Sequence, residues 1–187
     1  MDKKRLIVGI SGASGAPVAV SLLKALRQMP DIETHLVITE SGRRTITEET
    51  GLAVQQVYSL ADVIYDEKDT GAGPASGTFR TMGMIVVPCS MKTAAGIHSG
   101  YTDNLLLRAA DVTLKERRKL VLVPRECPLS PVHLRNLYEL ALYGAVILPP
   151  VLAFYNHPES IEDTVKTVVG KILDCFDLPY QDFKRWE

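Results

Sequence analysis

Cysteine is scarce in this chain: Cys89, Cys127 and Cys175 are the only three among 187 residues. They are odd in number, widely spaced and form no Cys-x-x-Cys pair, which excludes a disulfide framework and a zinc knuckle. The four histidines have no metal-ligand spacing either, so no metal is expected. Charge of one sign is missing: 21 Lys and Arg oppose 22 Asp and Glu, a net charge of -1. No global field therefore favours nucleic acid or a membrane surface. No apolar run is as long as a membrane span. The basic start Met1–Arg5 leads into Leu6–Ile10, too short for a signal-peptide core, so a cytoplasmic protein is expected. There is no internal repeat and no low-complexity tract, and 187 residues suffice for one domain with a sizeable core.

What is present is an alternation of short apolar runs and amphipathic stretches. Leu6–Ile10, His35–Thr39, Met84–Val87, Leu120–Val123 and Ala145–Leu148 read as strands. Between them, Ala16–Gln28, Arg43–Thr50, Asn104–Arg117 and Pro131–Tyr143 read as helices, and residues 66–78 as a loop rich in Gly, Asp, Ser and Pro. Ser160-x-x-Asp163 is a capping box opening a last helix, with Ile161, Val165, Val168, Val169 and Ile172 expected to face inward. This pattern predicts an α/β fold, a doubly wound parallel sheet whose ligand lies beyond the carboxyl ends of the strands.

The stretch MIVVPCSMKT (84–93) and the N-terminal LIVGISGASGA each end a buried strand in small, hydroxyl-bearing residues at a helix start. Backbone N–H groups at such starts attract anions, so paired turns suit a phosphorylated ligand. The first turn is spaced GxxGxxG, not the dinucleotide GxGxxG, and lacks the Lys-Ser/Thr end of a P-loop. Glu40 after the second strand still leaves NAD binding open. Ser11 and Ser14 offer hydroxyls to a phosphate; a plain tight turn is the other reading. Arg108 and Lys115 stand about 10 Å apart on one helical face with Asp111 between them, either a solvated face or an anion site. Glu126, next to Arg125 after the fourth strand, reads as a proton-handling carboxylate or as half of a loop ion pair. His98 and His157 read as cleft residues or structural hydrogen bonders, and Cys89, with no base in sight, as a small buried residue. Trp186, in a polar tail, suits docking on a neighbouring subunit or over a ligand.

The segments GISGASGA, VVPCSMKT, RAADVTLKERRKLVLVPRECPLS, GAVILPP and AFYNHPES, with the final RW, together resemble the UbiX/Pad-type flavin prenyltransferases. The likeness runs from about Leu6 to Trp186, and SGTFRTMGM resembles the branch that accompanies hydroxyarylic-acid decarboxylases. The resemblance implies a single flavodoxin-like, Rossmann-like three-layer domain over 1–187, whose tail, about 177–187, packs on the site or on a neighbouring subunit. It implies a homododecamer that joins a dimethylallyl group from dimethylallyl phosphate to N5 and C6 of reduced FMN. The prenylated FMN would serve a UbiD-type aromatic acid decarboxylase. By position, Gly12, Ala13, Ser14, Thr39, Ser90, Thr93 and Arg108 match the family's flavin contacts. Ser76, Gly77, Lys115, Arg125, Tyr155, Lys171 and Trp186 match its donor site. Glu126, Lys115 and Glu49 match its catalytic positions, with Glu126 the proton-handling carboxylate.

Two positions depart from the family pattern. Lys171 stands where many members carry arginine, keeping the charge but not the bidentate fork. Thr70–Gly73 lacks the aromatic that many members place before the PASG loop. Other readings are a non-catalytic FMN carrier, a direct aromatic-acid decarboxylase and a flavin-dependent cysteine decarboxylase. That last group uses a histidine in an early helix, and residues 43–57 contain none.

Overall fold

The computed structural model describes residues 3–186; Met1, Asp2 and Glu187, which fall within the expected 1–187 domain and its tail, lie outside the described residues. Six strands form one parallel sheet: β1 Lys4–Ile10, β2 Ile32–Ile38, β3 Val63–Tyr65, β4 Gly83–Cys89, β5 Lys119–Pro124 and β6 Val146–Ile147. The helices are α1 Ala16–Arg27, α2 Glu40–Thr50, α3 Val54–Tyr58, α4 Met91–Ser99, α5 Leu105–Lys115, α6 Pro131–Leu142 and α7 Ile161–Asp174. The sheet order is β3-β2-β1-β4-β5-β6. Without the three-residue β3, the remaining strands follow the flavodoxin order, and the chain reverses its direction of winding between β1 and β4.

The strands are apolar on both faces because helices cover both. Leu6, Val8 and Ile10 point into a core shared with α1, α2 and α7, where Leu22, Ile46 and Ile172 are fully buried. Ile7, Met84, Val86 and Leu122 point the other way, against Ala94 of α4, Leu106 of α5 and Leu140 of α6. This is the period-two alternation of a strand buried on both sides. Gly9 faces the second core, where a Cβ would come within 3.0 Å of Leu106 and Met84, so α5 packs directly on the backbone of β1.

Several expectations are corrected. β3 and α3 lie in a region expected to hold neither, and the strand expected over Ala145–Leu148 narrows to Val146–Ile147. Ile161 does not face inward: it is 83% exposed. As the first residue of α7 it lies beside α1 and lines an open groove of about 510 Å³ with Pro17, Val20, Leu52 and Val165.

Candidate functional site

The two turns meet at the carboxyl ends of β1 and β4, and Ser11 joins them. Its hydroxyl donates to the Pro88 carbonyl (2.9 Å) and accepts from the Ser90 N–H (2.8 Å), with the side chain 1% exposed. The hydroxyl is thus fully used within the protein, which corrects its assignment as a phosphate donor. Ser90 then caps α4: its Oγ accepts from the Thr93 N–H at 3.2 Å and donates to Thr93 Oγ1 at 3.0 Å. Thr39 does the same for α2, accepting from the Gly42 N–H at 3.1 Å. Two capped helix starts therefore flank the glycine turn, each adding the partial positive charge of a helix N-terminus.

The turn Gly12–Ser14 packs closely on the start of α2. A Cβ on Gly12 would fall on the Ser41 side chain, and one on Gly42 would lie 2.6 Å from the Ile10 carbonyl. Glu40, the acid that kept NAD binding open, is bound to Arg43 at 2.6 Å and lies 3.6 Å from Arg44; the Arg43 guanidinium holds its carboxyl below the usual range. Its two oxygens are each turned to an arginine at the surface.

Glu49 reaches back from the far end of α2, and its Oε2 accepts from the Gly15 and Ala16 N–H groups, both at 2.8 Å. Burial pushes its pKa up, but hydrogen bonds from Ser14, Gly15 and Ala16 and the charge of Arg125 outweigh that and hold it below the usual carboxylate value. Glu49 is an ionised base at neutral pH. Arg125 leaves β5 beside the second turn, its N–H donating to the Cys89 carbonyl at 3.2 Å. Among the described residues no ion pair joins Arg125 to Glu126, so the loop-pair reading fails. Glu126 is exposed, one oxygen accepting from the Cys127 N–H.

In the layer it shares with α4, α5 carries Arg108 and Lys115 along one face, capped by Asn104. Arg108 pairs with Asp111 at 2.8 Å, and its Nε donates to the Ala75 carbonyl at 3.3 Å. Lys115 pairs with Glu116 at 2.6 Å. Gly77 lies directly over that pair: a Cβ there would fall on Glu116 Oε1 and within 3.0 Å of Lys115 Nζ. The structure thus brings Lys115 together with the Ser76–Gly77 loop.

Tyr155, Lys171 and Trp186 form a separate group. Tyr155 and Trp186 meet edge to face with centroids 5.4 Å apart, lining a cavity of about 600 Å³ with Asn156, His157 and Phe183. Lys171 lies 4.0 Å from Asp174, which holds Arg185 of the tail in a two-pronged pair at 2.7 and 3.0 Å. Among the described residues no hydrogen bond or ion pair links Tyr155, Lys171 or Trp186 to the turns or to Lys115. His98 is a structural partner of Glu139 on α6, and burial pushes the Cys89 thiol up to about 12, out of reach of nucleophilic chemistry.

The Ser11 bridge depends on partners far along the chain, and one further residue emerges that the sequence did not single out. Arg118 looked like one more cation in the KERRK run, yet its guanidinium turns inward onto the loop after Gly77. Among the described residues no three or more His, Cys, Asp or Glu side chains gather as a metal site, and no helix is long and apolar enough to cross a membrane.

Comparison with known proteins agrees with this geometry. The family model described as Flavoprotein matches residues 1–173. A probable UbiX-like flavin prenyltransferase from Streptomyces sp. (strain D7) is 57% identical over 182 residues, covering 97% of this chain and 91% of that protein. The crystal structure of a dodecameric FMN-dependent UbiX-like decarboxylase from Escherichia coli O157:H7 superposes with a TM-score of 0.97 at 54% identity, over 98% of this chain and 99% of that one. A UbiX (PadA1) solved in complex with FMN and dimethylallyl pyrophosphate gives a TM-score of 0.97 at 51% identity, over 99% of this chain and 98% of that one. A peptidyl-cysteine decarboxylase, at 17% identity and a TM-score of 0.66, shares the fold alone.

Proposed function

The chain belongs to the Flavoprotein family, with UbiX-like flavin prenyltransferases as its relatives, and from that premise we propose that it transfers a dimethylallyl group from dimethylallyl phosphate to reduced FMN. The group is joined at N5 and C6 of the flavin, and phosphate leaves. The observation that carries this reading is the seat of Lys115 under Gly77, a cationic site additional to the two hydroxyl-capped helix starts. A flavin carrier would need the turns but not the second cationic site.

The donor set fits FMN. Gly12, Ala13, Ser14, Thr39, Ser90 and Thr93 offer backbone N–H groups and hydroxyls at helix starts, and Arg108 adds a cation, which is the chemistry that holds a phosphate and a polyol chain. Reduced FMN supplies the electron-rich ring that receives the allyl group. Lys115 and Arg125, joined by Tyr155 and Lys171, bind the donor phosphate and stabilise the charge it gathers as its C–O bond breaks. Tyr155 and Trp186 present aromatic faces that shelter the allyl cation from water. Ring closure adds a proton to the alkene of the N5-linked prenyl group and removes one from C6; Glu126, exposed and unpaired with Arg125, would carry that proton from one to the other, with the released phosphate as the alternative carrier. Glu49, held ionised by the start of α1, keeps a fixed negative charge near Arg125.

Residues 1–187 act in this reading as one flavoprotein domain. Tyr155 and Trp186 serve the site of a neighbouring copy through the 177–187 tail, within a dodecamer like that of the Escherichia coli relative. Prenylated FMN passes to a UbiD-type decarboxylase, and the setting is the cytoplasm. The test is mass spectrometry of flavin released after anaerobic incubation with reduced FMN and dimethylallyl monophosphate. A flavin heavier by one prenyl unit, absent without donor, is expected. Unmodified FMN with both the mono- and diphosphate donors would replace this reading with that of a carrier.

A further inference from the structure

The loop from Gly73 to Phe79 has little structure of its own. It makes one 3-10 turn at Gly73–Ala75 and a Ser76–Thr78 hydroxyl contact at 2.9 Å, with Pro74 its one buried residue. A loop so rich in Gly, Pro and Ser buries too little apolar surface to hold one conformation by packing. Its carbonyls are held from outside. Arg108 takes Ala75, while the Arg118 guanidinium donates from Nη2 to the Gly77 carbonyl at 2.5 Å and from Nη1 to the Phe79 carbonyl at 2.8 Å.

Arg118 is itself well anchored. Its N–H donates to the Thr113 carbonyl of α5 at 2.9 Å, and its side chain is only 17% exposed. Glu116 lies between the two cations, 2.6 Å from Lys115 Nζ and 4.0 Å from Arg118 Nη2. Among the described residues the Gly77 N–H has no partner within the protein. The planar fork of Arg118 thus fixes Gly77 from its carbonyl side and leaves its N–H free beside the Lys115 ammonium.

We propose that Arg118 is the positioning residue of the donor loop, setting the spacing of Gly77 and Lys115 so that the phosphate of the prenyl donor meets both. The inference rests on the prenyl-transfer reading, since the phosphate in question is the donor's. Arg118 touches neither substrate. Its loss therefore weakens donor binding and leaves the flavin turns, to which its guanidinium makes no hydrogen bond, as they are.

The test uses the full-length, FMN-loaded protein under reducing, anaerobic conditions, with dimethylallyl monophosphate as varied substrate and prenylated flavin measured by mass. Arg118→Met is expected to raise the donor KM about ten-fold or more, with kcat within about two-fold and FMN affinity unchanged. Arg118→Lys, which keeps the charge but reaches one carbonyl, is expected to fall between. Gly77→Ala disturbs the same spacing from the loop side, because its Cβ falls on the Glu116 carboxylate. It should reproduce the same KM signature even if Arg118→Met does not fold. An active wild type whose variants keep the donor KM overturns the inference alone. So does a parallel loss of FMN affinity and melting temperature, which marks a general structural role. A wild type that yields no heavier flavin overturns the prenyl-transfer reading and this inference with it.

Discussion

At the scale of single residues, the site is held by polar side chains whose partners are all inside the protein. Removing the Ser11 hydroxyl by Ser11→Ala strands a buried N–H on Ser90, while the Pro88 carbonyl keeps only the Ser11 backbone N–H at 3.2 Å. The expected cost is about 1–3 kcal/mol, read as a melting temperature lower by about 2–4 °C for each kcal/mol. FMN affinity should fall with it, because the two turns lose their common fixture; Ser11→Thr should restore both. Glu49 carries a pH signature. Its folded pKa lies below the ordinary 4.5, so its contribution is complete above that value and is lost as pH falls through the folded pKa. The melting-temperature gap between wild type and Glu49→Gln should be widest at neutral pH and close progressively below pH 4.5. A gap independent of pH would remove the charged cap on α1. The residue types at these positions were legible in the sequence, but their directions were not. Ser11 and Ser14 look alike in GISGASG, and only the fold of the distant Pro88–Ser90 segment turns one inward and leaves the other exposed.

At the scale of elements, legibility follows burial and length. β1, β4 and β5 are continuous apolar runs covered on both faces, and their sequences announce that. β3 is three residues long with Ile64 46% exposed, and α3 is five residues, so neither has a period long enough to detect. Ile161 was misplaced for a related reason: helical spacing says which side it lies on, not that the groove between it and α1 stays open. α2 depends on a close approach that sequence cannot show, since Gly42 lies against the Ile10 carbonyl. Gly42→Ala should push α2 off β1, at about 1–3 kcal/mol, and loosen Thr39 from the site. A variant with wild-type melting temperature and FMN affinity would show that α2 has room to spare. On the opposite layer, His98 of α4 and Glu139 of α6 are bonded, with the Tyr143 ring stacked at 6.0 Å, so α6 is fixed on its inner side while its outer side stays apolar and exposed.

At the scale of the whole molecule, that outer side of α6 is a departure from a self-sufficient chain. Tyr138 and Leu142 are 64% and 66% exposed, one turn apart, with Leu134 a turn earlier. Tyr138→Glu combined with Leu142→Asp should leave the chain folded, since neither side chain is buried within it, but break the proposed dodecamer into smaller species by light scattering and abolish prenyl transfer. An intact assembly would place the contacts elsewhere. The separation of Tyr155 and Trp186 from Lys115 and the turns reaches further than assembly. If a chain lends its tail to another copy's crevice, its two halves are not inherited as one working unit. Two alleles, one lacking the tail aromatics and one lacking Lys115, would each be silent alone and would complement when expressed together. Either would also act as a partial dominant negative beside the wild type, poisoning sites in proportion to its share of the pool.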